Sequence, residues 1–107
     1  MRRIANRKIM KKTLEEMRKI LLVHKDEIQN KYKVKEIGIF GSFARGEQRK
    51  TSDVDILVEF KKTPDVFHLI DLEDYLKGLM HTKVDLVRKS AIREELKDTV
   101  EKEVIYI

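Results

Sequence analysis

Asp53 and Asp55 stand two residues apart in Ser52-Asp53-Val54-Asp55-Ile56-Leu57-Val58, and ten residues separate Asp53 from an upstream Gly41-Ser42 pair. On a strand, side chains two apart share a face, so both carboxylates project together while Val54 and Ile56 turn into the core. Like charges this close repel, and a bound divalent cation converts the repulsion into stabilisation. Carboxylate oxygens are hard ligands, which points to magnesium or manganese rather than zinc. Gly41 lets the backbone approach a phosphate closely, and Ser42 adds a hydroxyl and an N–H. Arg45, one helical turn on, can pair with a phosphate oxygen. Together these residues suit metal-dependent chemistry on a nucleoside triphosphate. Each part alone is ordinary, since Asp-x-Asp often marks a loop-to-strand junction and Gly-Ser a strand end. Their combination is the specific signal.

A site with two ions roughly 4 Å apart usually needs a third carboxylate. Glu59 has the right parity, but at about 3.3 Å per residue it lies roughly 13 Å beyond Asp55. Asp85 is the better candidate. It sits in Lys83-Val84-Asp85-Leu86-Val87, an apolar strand where a carboxylate is costly unless it faces a polar site. If that strand lies beside the second one, Asp85 reaches the same cluster. Glu36, in the middle of the first strand, is the other candidate.

The elements that must position these groups follow from periodicity. Met10, Leu14, Met17, Leu21, His24 and Ile28, widened by Ile20, form a helical stripe, with His24 as a half-buried packing residue. Val34–Phe40 reads as a strand ending at Gly41, with Gly38 marking a close backbone approach. Phe43–Gly46 fits one helical turn, Glu47–Ser52 a charged loop, and Val54–Phe60 the second strand. Asp65 caps a helix with Leu69, Leu72, Leu76 and Leu79 as its buried stripe. Lys83–Val87 is a third strand. Ser90 caps a last helix with Ile92, Leu96, Val100 and Val104 on its apolar face, and Val104–Ile107 reads equally as helix or extended chain. This order predicts an α+β fold, a small mixed sheet with helices packed mainly on one face.

The 107 residues fit a single domain, 1–107. There is no Cys, which excludes disulfides, thiol nucleophiles and Cys-based metal sites. No apolar run approaches the roughly twenty residues that cross a bilayer, and the start lacks a secretory signal, so a soluble cytoplasmic protein with no membrane partner is expected. The net charge is +5, with Arg2, Arg3, Arg7, Lys8, Lys11 and Lys12 crowding residues 1–12. No aromatic residue interleaves them to stack on bases, so a solvated basic extension is favoured over direct nucleic-acid binding. Tyr32, Tyr75 and Tyr106 read as packing or surface residues, and His68 and His81 as solvated positions near helix ends. No Ser-His-Asp order has motif context for hydrolase chemistry.

Gly-Ser-Phe-Ala-Arg-Gly, then Ser-Asp-Val-Asp-Ile-Leu-Val, then Lys-Val-Asp-Leu-Val resembles the minimal nucleotidyltransferases of the DNA polymerase β-like superfamily. These are small antitoxins encoded beside a HEPN-domain ribonuclease toxin. The resemblance runs from about Leu14 to Tyr106. It implies a minimal polymerase β-like nucleotidyltransferase fold. It also implies transfer of AMP from ATP onto a tyrosine of the partner toxin, sometimes repeated, which silences the toxin. By the same resemblance, Gly41 and Ser42 hold the triphosphate, and Asp53, Asp55 and Asp85 are the catalytic and metal-binding acids for two magnesium ions. Arg45 takes the place of the family's arginine. Three other readings compete. They are an antitoxin that acts by binding alone with an idle site, a small nucleic-acid-binding module and an antibiotic-modifying nucleotidyltransferase. The last is disfavoured because the chain has no second domain to cup a small substrate.

Overall fold

Thr13 starts the first helix through a reciprocal cap. Its hydroxyl accepts the Glu16 N–H at 3.2 Å, and the Glu16 carboxylate accepts the Thr13 N–H at 2.9 Å. The computed structural model describes residues 13–49 and 53–107. The basic extension 1–12 and Met10 of the first stripe lie outside the described residues.

The stripe is not one helix. Helix α1 (Leu14–Val23) ends at His24, and α2 (Lys25–Lys31) follows it. Met17, Leu21 and Ile28 are nonetheless fully buried, so the apolar spacing survives the break. His24 is half-buried, with Nδ1 2.9 Å from the Ile20 carbonyl oxygen and its ring edge-on to Tyr75.

Strand β1 (Val34–Phe40) leads through the single-turn helix α3 (Ser42–Arg45) to β2 (Val54–Phe60). Helix α4 (Val66–Met80) begins at Asp65, whose carboxylate accepts the His68 N–H at 2.8 Å. It delivers the chain to β3 (Val84–Arg88), one residue later than Lys83–Val87 predicts. Helix α5 (Lys97–Glu103) and β4 (Ile105–Tyr106) close the fold. The sheet runs β3-β2-β1-β4, with β2 parallel to β3 and the other pairs antiparallel. It is the small mixed sheet of an α+β fold.

One face of the sheet is the core. Ile37, Ile39, Val54, Ile56 and Val58 meet Met17, Leu21 and Ile28 from α1 and α2, and Leu72, Leu76 and Met80 from α4. Each such side chain contributes about 1.5–3 kcal/mol on burial. The stripe on α4 is therefore centred on Leu72-Leu76-Met80, and Leu69 and Leu79 flank it half-buried.

The C-terminal region departs most from expectation. Ser90 caps no helix. It lies in a 3₁₀ turn, Lys89–Ala91, followed by extended Ile92 and Arg93 and a second 3₁₀ turn, Glu94–Leu96. Leu96 is 48% exposed. Val104 is already extended because β4 pairs beside β1, with the Ile107 N–H donating to the Ile37 carbonyl at 3.0 Å. Gly38 makes this approach possible, since a Cβ there would stand 2.7 Å from Val104 Cγ2 and 3.0 Å from the Ile105 carbonyl oxygen. Sheet pairing overrides the helical periodicity. Among the described residues, no helix is long and apolar enough to cross a membrane.

Candidate active site

The bend after β1 is built by Gly41, at φ 74° and ψ −149°, a region open essentially to glycine alone. Phe43, 2% exposed, anchors α3 into the core. The Arg45 N–H returns to the Gly41 carbonyl at 3.1 Å, and the Glu47 N–H to the Ser42 carbonyl at 2.8 Å. In the loop that follows, which reads as charged and polar throughout, Gln48 is buried.

Asp55 pairs in register with Phe40 of β1, which puts it next to the bend. A Cβ on Gly41 would stand 2.0 Å from Asp55 Oδ2, so the bend and the carboxylate share one small space. Asp53, exposed, precedes β2 with the same parity as Asp55. Asp85 pairs directly with Asp55 across the parallel ladder, and residues in register share a face. The sheet thus brings Asp53, Asp55 and Asp85 to the side away from the main core.

These acids share one field. Burial, then Asp85, then Asp53 raise the Asp55 carboxyl to about 6, with Arg45 opposing and Glu103 adding to the shift. Among the described residues, however, no group of three His, Cys, Asp or Glu side chains closes into a metal-holding cluster. The two observations describe different things, a mutual repulsion and a finished ligand shell. The repulsion and the all-oxygen donor set fit a hard divalent cation. Glu36 and Glu59 do not belong to the group. They pair with each other in register and share Lys89, whose Nζ lies 3.4 and 4.0 Å from them.

The raised Asp55 carboxyl fixes the sign of a pH effect. The folded state holds this proton more tightly than the unfolded chain between the ordinary 3.8 and about 6. The stability it contributes is fully present below the lower value and is lost as pH rises through the upper one. Thermal melts of ion-free protein should show that loss between these values, and Asp55→Asn should remove this component of the slope.

Arg45 is engaged by protein. Its Nε donates to Glu47 at 2.9 Å and its Nη1 donates to Glu103. Glu103 is the residue that sequence reasoning missed. It lies 58 positions from Arg45, just before the Val104–Ile107 stretch read as ambiguous, and no local pattern marks it. His68 also differs from expectation. It is half-buried against the Tyr32 carbonyl and the rings of Tyr32 and Phe60. The tyrosines are structural. Tyr32 stacks on Tyr75, the Tyr75 hydroxyl donates to Glu27, and the Tyr106 hydroxyl donates to Glu101 at 3.1 Å.

Residues 21–107 match the family described as nucleotidyltransferase domain. The protein adenylyltransferase MntA of Thermococcus cleftensis is 47% identical over 95 residues, covering 89% of this chain and 96% of that protein. A toxin–antitoxin crystal structure with AMP-PNP is similar at a TM-score of 0.66 and 29% identity, over 84% of this chain and 70% of that one. A complex of tri-AMPylated Shewanella oneidensis HEPN toxin with MNT antitoxin is similar at a TM-score of 0.58 and 26% identity, over 84% of this chain and 66% of that one.

Proposed function

This chain belongs to the nucleotidyltransferase domain family, in its small protein-adenylyltransferase branch, and on that footing we propose that it transfers AMP from ATP to a tyrosine of a HEPN-domain toxin and silences it. The observation that carries this reading is the Gly41 bend pressed against Asp55, with Asp85 alongside in register. The AMP-PNP complex supports ATP as the nucleotide, and the tri-AMPylated toxin supports a HEPN partner and repeated transfer. Residues 1–107 act as one domain in the cytoplasm.

In this reading, the backbone and hydroxyl at Gly41 and Ser42 receive the triphosphate, and Arg45 neutralises part of its charge. Asp53, Asp55 and Asp85 would hold two magnesium ions, with manganese able to substitute. Bound there, the ions would offset charge on the departing pyrophosphate and acidify the acceptor hydroxyl. Asp85, which is exposed, would also accept the acceptor's proton. Most of the acceleration comes from alignment and electrostatics.

A second reading, an antitoxin that works by binding alone, is favoured by exposed Val66, Phe67 and Ile70, apolar side chains available to a partner. Incubating the protein with a HEPN-domain toxin, magnesium and ATP labelled at the α-phosphate separates the two. Label on a toxin tyrosine is the expected result. Toxin inhibition without label would establish the second reading instead.

A further inference from the structure

We propose that Glu103 is a positioning residue for the nucleotide, acting through Arg45, an inference that rests on the nucleotide reading of this site. Arg45 ends α3, the short helix that begins at the Gly41–Ser42 bend, and its N–H donates to the Gly41 carbonyl, so its backbone is tied to that bend. A guanidinium carries five N–H donors in a fixed plane. Nε is taken by Glu47 and one Nη1 donor by Glu103, which leaves three for a phosphate. Two carboxylates on two nitrogens fix the plane against rotation.

The two anchors are unequal. The Glu47 side chain is 64% exposed and only two residues away, so water competes for the contact. The Glu103 side chain is 16% exposed and comes from α5. Its own position is set by the sheet. Val104 follows at once and lies against Gly38 of β1, and β4 then pairs with β1. The chain from β1 through Gly41, α3, Arg45, Glu103 and β4 therefore closes back on β1. That closure ties the orientation of Arg45 to the strand that carries the phosphate bend.

Calorimetric titration with magnesium and AMP-PNP tests this. Glu103→Ala should weaken binding roughly five- to tenfold, and Glu103→Gln, which keeps an acceptor for Arg45, should recover most of the loss. In an Arg45→Ala background, Glu103→Ala should have no further effect. Unchanged affinity, an equal loss in both backgrounds, or tighter binding (a carboxylate competing with the triphosphate for Arg45) would each overturn the proposal. No uptake by the unsubstituted protein would overturn the nucleotide reading and this inference with it, whereas the other failures leave that reading standing.

Discussion

Asp55→Asn should lower AMP transfer by roughly 100- to 1,000-fold or more, the scale of losing a central electrostatic group, while the ion-free protein stays as stable near neutral pH or gains stability. The two halves have one cause. Asp55 lies between Asp53 and Asp85, and its carboxyl is raised to about 6 by burial and by those neighbours. Near neutral pH the folded protein therefore holds a charge that its surroundings oppose. Asparagine keeps the shape and removes the charge, which relieves the repulsion and forfeits the chemistry. Transfer of labelled AMP gives the first half, and thermal melts with and without magnesium give the second. Magnesium should raise the melting temperature of the unsubstituted protein more than that of the variant. A variant that transfers AMP normally, or that unfolds, would contradict this assignment.

Gly41→Ala should damage both stability and activity. At φ 74° and ψ −149°, a non-glycine residue is strained by about 1–3 kcal/mol. The added Cβ would also fall 2.0 Å from Asp55 Oδ2, so either the bend or the carboxylate must move. Either shift misplaces the phosphate bend relative to the acids, and an error near 1 Å can cost about 100-fold in rate. Gly46→Ala is the control. Gly46 also has positive φ, 73°, but nothing lies within 4 Å of its Cβ position. It should cost about 1–2 kcal/mol of backbone strain and leave transfer intact. Urea melts and the transfer assay on both variants separate strain from site disruption. Equal activity losses in the two would show that the contact with Asp55 is irrelevant.

Local pattern was enough for the first two strands. Val34–Phe40 and Val54–Phe60 are bounded as their composition predicts, because Gly41 and the charged loop punctuate short β-branched runs. Parity placed Asp53 beside Asp55, and an apolar strand interrupted by Asp85 placed that residue at the polar face. What was not legible depends on contacts distant in sequence. The helix break at His24 leaves the apolar spacing intact, so periodicity does not show it. The last helix is shortened chiefly at its start, where the 3₁₀ turns Lys89–Ala91 and Glu94–Leu96 stand in its place, and at its end Val104 becomes extended to reach β1 past Gly38. Glu103 was hidden for the same reason, since its partner Arg45 is brought to it by that closure. Met80, at the end of the α4 stripe, is fully buried although the leucine spacing points to Leu79.

Paramagnetic resonance with manganese in place of magnesium addresses the three acids directly, titrated into the protein with AMP-PNP present. Nucleotide-dependent manganese uptake should appear in the unsubstituted protein and fall sharply in Asp53→Asn, Asp55→Asn and Asp85→Asn. Uptake that is absent, or equally strong in all three variants, would show that these carboxylates hold no ion.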